Sequence, residues 1–180
     1  MYTFRFKDIV TMLIKTLLFV FIVDFISSSL LPTFHQSYIF PPFHLLVIIY
    51  LSFYLPPNML PLLILIIQGF HSLFTVEGWA IGTLNSCLIS YGLVLLRDTI
   101  QFSSYFSTFF LVYAVQLLWS VFNGFLLSLK VDTWQPLELY LRFSITQGLI
   151  LALVALPVFK LLQKIWGKEN RESLGIERAI

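Results

Sequence analysis

Apolar residues fall into six runs along the chain, each bounded by prolines, charges or small polar residues. The first extends from about Val10 to Leu31 behind Arg5 and Lys7. It is too long for the hydrophobic region of a signal peptide and is followed by no A-x-A cleavage pattern, so it predicts a retained helix. The second, Phe43 to Leu55, is fenced by Pro41-Pro42 and Pro56-Pro57. At about 1.5 Å per residue it is short for a crossing, and spans only with help from residues 38–42 in irregular form or from local bilayer thinning. The third, Met59 to Val76, carries Pro61 in its first turn, where a missing N–H is tolerated. The fourth is Ala80 to Leu96, the fifth Tyr105 to Leu127, and the sixth Leu139 to Leu162 with Pro157 inside it.

Two stripes interrupt this pattern. On the fourth run every fourth position is small: Gly78, Gly82, Ser86 and Ser90. Helices in lipid gain nothing from hydrophobic burial against each other, so small-xxx-small positions that let backbones approach supply the van der Waals and Cα–H contacts that drive association. The stripe predicts a packing seam, against a helix of the same chain or of a partner. On the fifth run Gln116, Trp119 and Asn123 stand at i, i+3 and i+7 and share one face. Interhelical hydrogen bonds contribute about 0.6–2 kcal/mol each, so this face reads as glue inside the bundle or as a small polar pocket.

Composition turns the runs into membrane spans. Of 180 residues 58% are hydrophobic and 11% charged, with nineteen Phe and a mean hydropathy of +0.89, far from the roughly 25% charge of soluble domains. The expected fold is all-α: a polytopic bundle of about six transmembrane helices over residues 1–166, with a short tail at 167–180. Nothing supports binding to nucleic acid. With the N terminus on the cytoplasmic side, Arg5, Lys7, Arg97, Lys160, Lys164, Lys168, Arg171 and Arg178 all fall inside, against Lys130 and Arg142 outside, so both termini are expected in the cytoplasm. The basic residues near the last run are placed to touch anionic lipid.

Candidate chemistry is sparse. Lys15 can snorkel to the near interface; Asp24, nine residues on, lies about 180° around the helix and cannot pair with it. Asp24 precedes Ser27, Ser28 and Ser29 and reads either as a capped, water-facing residue or as a partner-binding one. Asp24, His44 and His71 sit singly on three helices without metal-ligand spacing, and there is no phosphate loop or nucleophile motif, so neither catalysis nor a cofactor is expected. The lone Cys87 is expected to be a small buried side chain.

The order of these features resembles a known family. PPFHLLVIIYLSFYLPP, then a stretch ending in Glu77-Gly78, then GTLNSCLISYGLVLLRD, is similar to the second to fourth helices of MreD, the rod-shape-determining membrane proteins, with Pro42, Pro56, Pro57, Gly78 and Tyr91 at corresponding positions. SITQGLILALVALPVFKLLQKI looks like the family's closing helix, so the resemblance covers nearly the whole chain. The departure is in the third helix, where the family places several Gly and an Asp and this chain has Gly69, Phe70 and His71. The resemblance implies a non-enzymatic inner-membrane scaffold of the bacterial elongasome. Such a scaffold binds an MreC-type partner and, through it, a RodA-type glycosyltransferase, a penicillin-binding transpeptidase and MreB. The family is also similar in fold to the substrate-binding S-components of energy-coupling-factor vitamin transporters. That alternative function would need a pocket lined by Trp79, Gln116, Trp119 and Asn123.

Overall fold

The computed structural model describes residues 6–30, 41–75, 78–97 and 105–166. Six helices carry them: α1 (Phe6–Leu30), α2 (Phe43–Tyr54), α3 (Leu60–His71), α4 (Trp79–Leu96), α5 (Tyr105–Val131) and α6 (Gln135–Trp166). No strand occurs among the described residues. Four of the helices, α1, α4, α5 and α6, are long and apolar enough to cross a membrane, while α2 and α3 have 12 residues each. The protein is a polytopic helical membrane protein. The expected tail at 167–180, Arg5 and Glu77 lie outside the described residues.

The third helix ends at His71, earlier than its apolar run. Ser72 Oγ donates to the Gly69 carbonyl at 2.7 Å, and the N–H groups of Leu73 and Phe74 turn back to Phe70 and His71, so the chain leaves the helix in a series of tight turns. The second helix is as short as its proline fences demand. At about 1.5 Å per residue each of the pair is about 18 Å long, against a hydrocarbon core of about 30 Å. The two form a hairpin whose Leu55–Met59 turn is held by Arg97 at the end of α4, where Arg97 Nη1 lies 3.4 Å from the Leu55 carbonyl. Arg142, expected outside, lies within α6.

A helix this short and apolar on every side is best accommodated away from lipid. Accordingly, α2 lies on the bundle axis: Leu45, Leu46, Val47, Ile48, Ile49 and Leu51 are wholly buried, and α2 touches all five other helices. Those five form a ring in the order α1, α3, α4, α5, α6 and back to α1. The most extensive pairing in the ring is between α5 and α6. Large apolar side chains such as Leu18, Leu62, Leu88, Phe110 and Leu153 point outward, as a lipid-facing perimeter requires.

The α5–α6 hairpin turns on Asp132, whose φ of 55° places it in the left-handed region. Asp tolerates that conformation better than most L-residues. Ser128 closes the turn from α5: its carbonyl accepts from Thr133 N–H at 3.2 Å and its hydroxyl from Leu137 N–H at 3.1 Å. Asp132→Gly is therefore expected to hold or raise stability and Asp132→Val to lower it by about 1–2 kcal/mol, measured as thermal unfolding in detergent by circular dichroism.

Candidate functional site

Single polar side chains inside apolar helices must find partners within the protein, because lipid offers none. Here they bridge every interface of the ring. His71 Nδ1 donates to Asp24 Oδ2 at 2.7 Å (α3 to α1), and Gln68 Nε2 to Ser86 Oγ at 2.6 Å (α3 to α4). Asn85 Nδ2 donates to the Trp119 carbonyl at 3.1 Å (α4 to α5), and Gln116 Nε2 to Gln147 Oε1 at 3.2 Å (α5 to α6). Trp166 Nε1 donates to Thr16 Oγ1 at 3.1 Å, joining α6 back to α1, and Ser52 Oγ to Ser90 Oγ at 2.8 Å ties the central α2 to α4.

The small-residue stripe belongs to this scheme. Gly82, Ser86 and Ser90 are buried against α3 and α2 of the same chain, and a Cβ built on Gly82 would stand 2.6 Å from Gln68 Oε1. Gly78 is not part of the seam. It caps α4 with φ +82°, a left-handed conformation that suits glycine, near Lys130 Nζ. Gly82→Ala is expected to displace Gln68 from Ser86 and cost about 1–3 kcal/mol, while Gly82→Ala with Gln68→Ala recovers part of the loss; chemical unfolding in bicelles measures both.

Asp24 departs from both readings made of it. It is buried and paired with His71, neither water-facing nor open to a partner, while Lys15 sits on the exposed side of α1. The His71 pairing follows from topology: α1 and α3 run parallel around α2, so the end of each reaches the same level as the start of α2. There His44 lies against His71 with ring centroids 3.7 Å apart, and edge-on to Trp119 at 5.7 Å. Asp24, His44 and His71, scattered in sequence, therefore meet, although no group of three ligating side chains suited to a metal ion occurs among the described residues.

The α5 face continues the cluster. Gln116, Trp119 and Asn123 are all buried, as their shared stripe suggests. Trp79, the fourth expected pocket residue, is instead exposed at the start of α4, and Cys87 is only partly buried. Sequence reasoning missed Gln68, Asn85, Gln147 and the Ser52–Ser90 pair. Their signal was available: each is a polar residue inside an apolar run.

Several buried polar atoms find no partner among the described residues, including both ring nitrogens of His44, Trp119 Nε1, both side-chain amide atoms of Asn123, Gln116 Oε1 and Asn85 Oδ1. No family model matches the chain, and neither a curated protein nor a solved structure does. Chemistry must therefore be read from the cluster itself. It holds a carboxylate–imidazole pair, a second imidazole stacked on it, an indole N–H and a free carboxamide. It offers one carboxylate–imidazole hydrogen bond and a set of buried donors and acceptors.

Proposed function

We propose that the protein is a non-enzymatic scaffold or adaptor of the bacterial inner membrane, with both termini in the cytoplasm, acting in cell-shape and peptidoglycan synthesis alongside an MreC-type partner. Through that partner it would engage a RodA-type glycosyltransferase, a penicillin-binding transpeptidase and MreB. The observation that carries this reading is the filled axis of the bundle. With α2 buried on all sides, what the molecule offers to others is its apolar perimeter, the kind of surface that partner transmembrane helices use. The order of prolines, small residues and breaks that resembles MreD supports the same conclusion. The proposed orientation draws on charge: Arg97, Lys160 and Lys164 lie toward the α2–α3 turn end, and Lys130 lies at the opposite end beside Gly78.

A mild-detergent pull-down of the tagged protein, with mass spectrometry of proteins and small molecules, tests this reading. Recovery of a single-span protein with an extracytoplasmic coiled coil, together with cell-wall synthases, is the expected result. Recovery of a vitamin-transporter energising module without cell-wall proteins overturns it in favour of a substrate-binding subunit.

A further inference from the structure

We propose that the outward face of α3 thins the bilayer beside it, drawing the headgroups of neighbouring phospholipids toward the middle of the membrane. This goes beyond the adaptor reading and does not rest on it. The two short helices of the bundle have 12 residues each, but only α2 is enclosed by the others. In the ring, α3 stands between α1 and α4, with Leu62 65% and Leu65 46% exposed on its outer side. A rise of about 1.5 Å per residue makes α3 about 18 Å long, and any tilt lowers its height across the membrane. Its neighbours have 25 and 18 residues, so the lipid-facing wall is shorter at α3 by about 9 Å or more.

Both ends of α3 call for polar surroundings. A helix leaves N–H groups at its start and carbonyls at its end that hydrocarbon cannot satisfy. At the start, the α2–α3 turn exposes Pro57 and Asn58, and Arg97 Nη1 lies 3.4 Å from the Leu55 carbonyl. At the other end, Ser72 Oγ donates to the Gly69 carbonyl, and the turns through Leu73 and Phe74 add about one helical pitch to the apolar height. The total of about 23 Å remains short of a hydrocarbon core of about 30 Å. Lipid matches this face better than a partner's helix does. Its outward positions carry Leu62, Leu65, Ile66 and Phe70, with no polar side chain among them. Leu65 and Leu73 flank Gly69 at i−4 and i+4, so no small-xxx-small seam is offered for a close helix crossing. The bilayer therefore covers α3, and a short apolar wall between longer ones is met by local thinning.

The test uses the full Cys87→Ala chain in vesicles of dioleoyl phosphatidylcholine that contain a lipid with a nickel chelate on its headgroup. Leu62→Cys, Leu73→Cys and Leu118→Cys each carry one nitroxide at an exposed position, and its relaxation by nickel, calibrated on spin-labelled lipids, gives its depth. Leu62 and Leu73 are about 16 Å apart along the α3 axis, so a flat core of about 30 Å cannot bring both to the headgroups at once. The expected result is that both register at headgroup depth and relax at least about threefold faster than Leu118, at the middle of α5. Should Leu62→Cys fold poorly, Asn58→Cys in the exposed turn marks the same end. Headgroup depth at one end only, as in a flat bilayer, or at neither end, overturns the proposal. So does relaxation by soluble nickel but not by the lipid-borne chelate, which marks a water-filled groove. Shielding of both α3 labels from nickel and oxygen alike, which marks a second copy's helix over α3, overturns it too.

Discussion

His71→Leu is expected to destabilise the bundle by about 3–5 kcal/mol, more than Asp24→Leu, although the two changes break the same 2.7 Å hydrogen bond. The asymmetry comes from what each leaves behind. Without His71, the Asp24 carboxylate stays on the buried side of α1 with its partner gone. Without Asp24, His71 can remain as a neutral imidazole with one unsatisfied N–H, a penalty of about 1–3 kcal/mol. Replacing both by leucine removes both desolvation costs, so the double variant is expected to be more stable than His71→Leu alone. Unfolding of the four proteins in bicelles completes the cycle. Equal losses for the two single variants would mean that the carboxylate is reached by water and the pair is not sealed in the bundle.

The contrast between Asp24 and α2 shows what could be read from the chain and what could not. Helix number, helix type and most boundaries follow from runs of apolar residues and from prolines, which are local properties of the backbone; Pro41-Pro42 and Pro56-Pro57 bound α2 to within a residue. The central position of α2 is harder to read, because in a membrane protein a helix facing lipid and a helix buried by other helices are both apolar all round. Its length was the usable cue: 12 residues cannot face lipid across the full hydrocarbon core. The polar cluster is harder still. Asp24 and His71 are 47 residues apart, and only the ring order, with α3 rather than α2 following α1 around the perimeter, brings them into contact. The α5 stripe of Gln116, Trp119 and Asn123 was legible because one helix carries all of it.

Glycines make the same point with signs that can be measured. Gly124→Ala is expected to cost about 1–3 kcal/mol, with Gly124→Leu beyond that range, although a helix-interior Gly→Ala change in isolation favours the helix by about 1 kcal/mol. A Cβ on Gly124 would stand 3.0 Å from Leu137 Cα and 3.1 Å from Tyr140 Cβ, so the atoms it meets belong to the α6 backbone and to the root of a side chain. Neither can swing aside without moving α6 away from α5, the most extensive pairing in the ring. Gly148 faces Tyr113 ring atoms at 2.9 and 3.0 Å, and a ring can tilt, so Gly148→Ala is expected to lose less than Gly124→Ala. Gly69 and Gly92 have nothing within 4 Å of a built Cβ, and there the helix preference acts alone. Gly69→Ala and Gly92→Ala are thus expected to be neutral or stabilising by up to about 1 kcal/mol. Four alanine variants unfolded side by side in detergent should rank Gly124 lowest, then Gly148, with the other two at or above wild type. If Gly124→Ala unfolds no earlier than Gly69→Ala, the close approach of α6 to α5 at that glycine is wrong.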